Sequence, residues 1–103
     1  MDSNKIQLDG RVSEVLDTGD LQAKFEAFGF FVQSIDGHDV AAISDAIDRA
    51  KAETGRASMI IANTVKGKGV SFMEGQVGWH GKAPNDEQFE QAMAELAAAG
   101  EEL

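Results

Sequence analysis

The pattern of hydrophobic and polar positions along the chain predicts alternating strands and helices. Residues 4–10 alternate apolar and polar groups and stop at an Asp-Gly pair, which is typical of a short strand or an extended loop. Residues 30–35 are aromatic and β-branched, and this composition predicts a second strand. Residues 59–62 form a nearly continuous apolar run, which indicates a third strand covered on both faces.

The first predicted helix runs from about residue 21 to residue 28. The polar stretch 17–20 supplies candidates for its N-cap, and Gly29 stands where a left-handed residue often ends a helix. Helical spacing places Phe25 and Phe28 on one face, so both are predicted core residues.

Two further helices are predicted in the second half of the chain. Asp39 is a suitable N-cap for the second helix, and Gly55 is expected to close it. Asn85, with Gln88 three residues later, has the pattern of a capping box before the last helix. The apolar face of that helix is expected to carry Phe89, Met93 and Leu96, of which the first two are predicted core residues.

This order of elements predicts a single α/β domain over residues 1–103, with the order β-α-β-α-β-loop-α and a parallel sheet. Ligands in such sheets bind at the carboxyl ends of the strands. Residues 36–39 and the long segment 64–84 both follow predicted strands, and we therefore expect both at that edge. We refer to residues 64–84 as the glycine-rich loop.

Composition narrows the possible partners. The chain is 43% hydrophobic and 26% charged, which is typical of a globular protein. Its net charge of −9 repels nucleic-acid backbones and anionic membranes, so neither is an expected partner. The chain has no cysteine, which excludes disulfides and thiolate metal sites. With no signal peptide or long apolar run, a soluble cytoplasmic protein is expected.

Residues that could bind a phosphate or a metal ion occur near the start of the chain and in the glycine-rich loop. Lys66 and Lys68 stand beside glycines that allow backbone amides to approach a phosphate, although a strand entering a tight turn explains the glycines equally well. Asn4 could ligate a hard cation or lie in an ordinary turn. His80 could donate to a phosphate or pack as a surface residue on Trp79.

Five motifs, taken in order, resemble the transketolase family. They are Asp-x-Asn-Lys-Ile-x-Leu-Asp-Gly at 2–10, Phe-Glu-Ala-Phe-Gly-Phe at 25–30, Ile-Asp-Gly-His-Asp at 35–39, Thr-Val-Lys-Gly-Lys-Gly-Val-Ser-Phe-Met-Glu at 64–74 and Trp-His-Gly-Lys-Ala-Pro at 79–84. More narrowly, they resemble the C-terminal portion of the N-terminal, thiamine-diphosphate-binding subunit in the form of the enzyme that is split over two genes.

The resemblance implies roles for four residues around thiamine diphosphate. Asn4 would give its side-chain oxygen to a divalent cation, Mg²⁺ or Ca²⁺, and Ile6 would give its backbone carbonyl. Leu8 would pack on the thiazolium side of the cofactor. His80 would lie over the diphosphate and the substrate as a catalytic residue. In the family, the deprotonated thiazolium C2 attacks a ketose, and a two-carbon ketol unit passes to an aldose.

One family motif is absent from these residues. In transketolases a Gly-Asp-Gly motif stands before this asparagine and supplies the charged metal ligand, and no such motif occurs in the chain. We therefore expect a fragment truncated at its N-terminus and inactive alone, whose partners are the remainder of the N-terminal subunit, together with the C-terminal, pyrimidine-binding subunit. Truncation of a parallel sheet should also expose apolar surface, which predicts self-association.

Two other functions are compatible with the sequence. The chain could be a non-catalytic α/β interaction module that keeps the sheet without the chemistry. It could also be part of another thiamine-diphosphate enzyme, such as deoxyxylulose-phosphate synthase. The segment Trp-His-Gly-Lys-Ala-Pro favours transketolase among these.

Overall fold

The computed structural model describes residues 1–101, and a parallel sheet of three strands lies at its centre. In chain order the elements are β1 (Asp2–Ser3), β2 (Ile6–Gln7), β3 (Gly10–Arg11), α1 (Val12–Val15), α2 (Leu21–Ala27), β4 (Phe31–Asp36), α3 (Val40–Ala52), β5 (Ser58–Asn63), a 3₁₀ helix (Val77–Trp79) and α4 (Asp86–Glu101). The strand order is β1-β5-β4, and β5 pairs in parallel with both neighbours. The predicted parallel α/β fold is therefore confirmed.

The start of the chain differs from the prediction. The strand that joins the sheet is Asp2–Ser3, whereas Ile6–Gln7 pairs with Gly10–Arg11 in a small antiparallel hairpin outside it. The helix α1 follows directly, and the hydrophobic pattern did not predict it. The alternation in residues 4–10 indicated extended backbone, which the structure has at Ile6–Gln7 but not at Lys5, where φ is +64°. Which strand joins the sheet depends on pairing with β5, which is distant in sequence.

The predicted helix starts are confirmed in detail. The carboxylates of Asp20 and Asp39 cap α2 and α3 by accepting from backbone N–H groups three residues later, at 2.9 and 3.0 Å. Asn85 and Gln88 form the reciprocal capping box before α4, at 3.0 and 2.9 Å. The prediction that Gly55 closes α3 is wrong. That helix ends at Ala52, and the Gly55 N–H bonds the carboxylate of Glu53 instead.

The core is small. One buried apolar residue comes from each of α3, β5, the glycine-rich loop and α4. Its buried apolar members are Ala46, Ile61, Val70 and Ala92. Two polar contacts fasten α3 to the sheet, because the buried Gln33 donates to the Ala46 carbonyl at 2.9 Å and accepts from Arg49 Nε at 2.6 Å. A half-buried Phe25 packs edge-on against Phe30.

The prediction of a core position is wrong for three residues in the described part of the chain. Phe28 is 80% exposed, Phe89 is 51% exposed, and Met93 is also exposed. Their helical spacing is correct, but no element within residues 1–101 covers those helix faces completely. For the same reason β5 is not covered on both faces, since Met59 and Ile60 are only half-buried. Within the described residues, no helix combines the length and hydropathy needed to cross a bilayer.

Candidate functional site at the carboxyl edge of the sheet

The carboxyl ends of the three parallel strands meet at one edge of the sheet. Ser3 and Asp36 both stand opposite Asn63 in the register, so the chain leaves β1, β4 and β5 at the same level. Asn4 follows β1, the glycine-rich loop follows β5, and His38 lies in the turn after β4. The structure therefore gathers three of the motifs at the edge where ligands of parallel sheets bind.

A tight turn after β1 fixes the side chain of Asn4. Its Oδ1 accepts from the Ile6 N–H at 2.9 Å, and its Nδ2 donates to the Asp2 carboxylate at 3.2 Å. Lys5, between Asn4 and Ile6, has φ +64°, and no other non-glycine residue in the described part of the chain has a positive φ. Such strain is costly and tends to collect at functional sites. The turn thus places the Asn4 side chain against the backbone of Ile6.

Two cavities open beside this turn. One of about 280 Å³ is lined by the first six residues together with Val12, Thr18 and Leu21, and it therefore includes Asn4 and Ile6. A second of about 220 Å³ shares Lys5 and Leu21 with the first and has polar walls that include Ser34 and Asn63. Two concave surfaces of the described chain thus lie beside the Asn4–Ile6 turn, while a third cavity of about 340 Å³, with apolar walls, lies next to the β2–β3 hairpin and α1.

The oxygen donors at this turn are of the kind that a divalent cation prefers, but they form an incomplete set. Mg²⁺ favours oxygen ligands in octahedral geometry. The turn offers the Asn4 amide oxygen and the Ile6 carbonyl, while the nearby Asp2 carboxylate also accepts from Thr64 Oγ1. Within residues 1–101, no three histidine or acidic side chains converge on a point. A cation here needs further ligands from a diphosphate, water or another protein segment.

Leu8 and His80 lie away from these cavities. Leu8 is at the tip of the β2–β3 hairpin and is 62% exposed. His80 follows the 3₁₀ helix on the surface and lines neither cavity. The Trp79 ring packs against Phe72, with 5.3 Å between the ring centroids. The ammonium nitrogen of Lys82 lies over the Trp79 ring, 4.6 Å from its centroid. The structure therefore joins Asn4 to Ile6 but brings neither Leu8 nor His80 to that turn.

The glycine-rich loop is closed on itself and fastened to α4. The Gly75 N–H donates to the Lys66 carbonyl at 2.9 Å, and Lys68, a phosphate candidate by sequence, forms an ion pair with Glu74 at 3.4 Å. The Ser71 N–H and hydroxyl both donate to the Glu95 carboxylate, at 2.6 and 2.7 Å, and the bond from the Ser71 N–H is the main cause that lowers the pKa of Glu95. Turns and caps therefore order most of this segment.

Several contacts at the edge connect residues that local sequence patterns do not relate. Thr64 donates to Asp2 across the sheet, and the Val65 N–H donates to Nε2 of His38. From sequence alone, the place of His38 beside a helix start indicates a structural role in a turn. Its contact with Val65 joins positions 27 residues apart, so the only sequence signal was its position directly after a predicted strand.

Comparison with known proteins places this arrangement in a family. The family described as "Transketolase, thiamine diphosphate binding domain" matches residues 1–102. A 6-deoxy-6-sulfo-D-fructose transketolase subunit from Clostridium sp. strain MSTE9 is 44% identical over 99 residues, which are 96% of this chain and 36% of that protein. An apulose-4-phosphate transketolase subunit from Actinobacillus succinogenes is 40% identical over 92% of this chain and 34% of its own length.

Solved structures agree with the sequence matches. Transketolase from Campylobacter jejuni superposes with a TM-score of 0.81 at 35% identity, over 93% of this chain and 15% of that one. A Pichia stipitis transketolase superposes with a TM-score of 0.83 at 31% identity, over 93% of this chain and 14% of that one. The chain spans about a third of the length of the subunits that it matches.

Proposed function

The chain belongs to the transketolase family, in its thiamine diphosphate-binding domain, and we propose that it supplies the cation-holding turn of a thiamine diphosphate site. The observation that carries this proposal is the strained turn in which Lys5 brings the amide of Asn4 and the backbone of Ile6 together beside a cavity. The resemblance assigns the same two residues to the metal. Mg²⁺ or Ca²⁺ suits their oxygens.

The reaction that we propose is transfer of a two-carbon ketol unit between sugar phosphates or related sugars. When bound, thiamine diphosphate supplies the carbon nucleophile at its thiazolium ring. The residues of this chain have a simpler role, which is to hold the cation that offsets the diphosphate charge. That role is needed because the net charge of −9 repels an anionic ligand. His80 and Leu8 act at the substrate and the thiazolium only if a bound ligand or another segment brings them close.

We further propose that the complete site needs protein outside these residues. A cation held by one amide and one carbonyl lacks the carboxylate that strong binding requires, and the family's Gly-Asp-Gly motif is not in this sequence. The matched relatives are named as subunits, which supports a partner subunit. The proposed partners are the rest of the N-terminal subunit, together with the C-terminal, pyrimidine-binding subunit.

Paramagnetic Mn²⁺ tests the cation site directly, since it replaces Mg²⁺ at oxygen ligands and broadens nearby NMR signals even when binding is weak. In the presence of thiamine diphosphate, we expect the amide signals of residues 4–6 to broaden first. Asn4→Ala should raise the Mn²⁺ concentration that gives equal broadening at least about tenfold, because one of two ligands is lost. ¹H–¹⁵N spectra measure this effect.

Gln91→Ala is the matched control, because Gln91 lies on the exposed side of α4 and its side chain bonds only Glu95 among residues 1–101. It should leave the broadening at residues 4–6 unchanged. Broadening that spreads over the acidic surface and ignores Asn4→Ala would contradict the proposal. That result would favour a non-catalytic interaction module, which keeps the α/β sheet and has no cofactor site.

Self-association is also part of the proposal. The face of α4 that carries Phe89, Met93 and Leu96 is exposed, and β4 pairs on one side only within the described sheet. Such surfaces drive association in water. Sedimentation velocity at high concentration should detect a dimer or larger species, and Phe89→Gln with Met93→Gln should shift it toward monomer. Glu90→Gln, on the polar side of the same helix, serves as control. A wild-type chain that stays monomeric refutes this part.

A further inference from the structure

His38, which follows the end of β4, bonds the start of the glycine-rich loop, which follows the end of the neighbouring strand β5. Nε2 of His38 accepts a hydrogen bond from the Val65 N–H at 2.7 Å. His38 lies in the turn between β4 and α3, and Val65 is the second residue after β5. The bond therefore connects two neighbouring strand ends at the carboxyl edge, at the point where the loop leaves the sheet.

The turn that carries His38 fits tightly against the end of β5. The Gly37 N–H donates to the Asn63 carbonyl at 2.8 Å, and the His38 N–H donates to the Asp36 carboxylate at 2.9 Å. A Cβ on Gly37 would lie 2.5 Å from Thr64 Cγ2, which is closer than real Cβ atoms come. The backbone is thus fixed on both sides of the imidazole, and the ring has a defined place relative to Val65.

The direction of the hydrogen bond defines the state of the ring. An imidazole that accepts at Nε2 is neutral and carries its proton on Nδ1. Protonation puts an N–H on Nε2 as well, which removes the acceptor and sets two donors against each other. Histidine side chains ordinarily make this change between pH 5 and 8. The contact with Val65 therefore exists only while the ring is neutral.

The charged groups around the ring favour its release on protonation. Asp36 and Asp39 flank it in its own turn, while Glu74 and Lys66 belong to the loop that it holds. The pKa of Glu74 is lowered mainly by the Gly69 N–H and further by the charge of Lys68, and a positive charge on His38 would also lower it, so Glu74 lies within electrostatic reach of a protonated ring. An imidazolium is drawn to these carboxylates and away from the Val65 N–H.

We propose that His38 is a proton-sensitive latch whose neutral imidazole holds the start of the glycine-rich loop at the carboxyl edge of the sheet. Protonation of the ring releases Val65 and loosens the attachment of the loop. His38 acts through the loop and is a positioning residue, because the same loop carries His80. The bond from Val65 to His38 holds the loop whether or not a cation binds at Asn4.

Amide hydrogen exchange and ¹H–¹⁵N spectra of the 103-residue chain test the latch without any ligand. At pH 8, long-range ¹H–¹⁵N correlation spectra of the imidazole ring should show that Nδ1 of His38 carries the proton. Between pH 8 and pH 5.5, the protection factor of Val65 should fall about five- to tenfold, as expected for loss of one hydrogen bond. Amides within β4 and β5 should keep their protection.

Three variants separate the latch from general effects of pH. His38→Gln places an amide oxygen near the position of Nε2 and does not titrate, so Val65 should stay protected at both pH values. His38→Phe removes the acceptor and should leave Val65 unprotected at both. His80→Gln should retain the wild-type pH dependence. Wild-type protection of Val65 that does not change with pH, or a His38 ring protonated on Nε2 at pH 8, would overturn the proposal.

Discussion

Replacement of Gly67 with alanine is expected to open the glycine-rich loop. Gly67 has φ +75°, where an L side chain costs about 1 kcal/mol or more. Its Cβ would also lie 2.7 Å from the Met73 carbonyl oxygen and 2.8 Å from the Met73 carbonyl carbon. Because these are backbone atoms, no side-chain rotation relieves the collision. Overpacking of this kind typically costs about 1–3 kcal/mol, so the combined penalty is about 3 kcal/mol.

The penalty should appear locally, because the loop is a closed unit of its own. The bonds from the Gly75 N–H to the Lys66 carbonyl and from the Met73 N–H to the Val70 carbonyl keep the colliding atoms in place. The chain can avoid the collision by breaking these bonds while the sheet remains intact. Hydrogen exchange of Gly67→Ala should therefore show lost protection at Met73 and Gly75, with strand amides unchanged.

Gly75 provides the matched control for this prediction. Its φ is +65°, close to that of Gly67, but a Cβ there meets no atom within 4 Å. Gly75→Ala should therefore cost only about 1 kcal/mol, the conformational part alone. The difference between the two variants measures the collision with Met73. Equal loss of loop protection in both variants would contradict the close contact at Gly67.

The features that the sequence predicts well depend on neighbouring residues. Asp20, Asp39 and Asn85 begin helices because each side chain bonds a backbone N–H within three residues, and such patterns are visible locally. The contact within the Asn4–Ile6 turn is also local, because Asn4 Oδ1 accepts from an N–H only two residues later, although the hydrophobic pattern predicted a strand or extended loop there. These contacts need no knowledge of the rest of the fold.

The features that local sequence patterns did not predict depend on contacts between distant segments. The position of β1 depends on pairing with β5, and the bond from Thr64 to Asp2 spans 62 residues. Phe28 has the spacing of a core residue, but its burial depends on whether another segment covers that face. Spacing along a helix defines which residues share a face. It does not define what packs on that face.

Replacement of Ile61 with alanine is expected to cost about 3 kcal/mol of folding free energy, within the range of about 2–5 for such core truncations. Ile61 is 4% exposed, and it lies in β5 between the two other strands of the sheet. Among the buried apolar residues of the described chain, only Ala46 is less exposed, and Ile61 has the largest side chain, so its truncation removes the most buried apolar volume. Because about 1 kcal/mol shifts the Tm of a domain this size by roughly 4–8 °C, the Tm should fall by more than about 10 °C.

Ile47→Ala makes the same chemical change at a position that is far more exposed than that of Ile61. Ile47 is 41% exposed in α3, and alanine favours the helix, so its cost should stay within about 1 kcal/mol. Urea unfolding at low, matched protein concentration measures both variants without interference from association. Loss of Ile61 should also weaken β1, whose only partner in the described sheet is β5, and thereby the turn that holds Asn4. Similar costs for the two variants would show that β5 does not form the centre of the core.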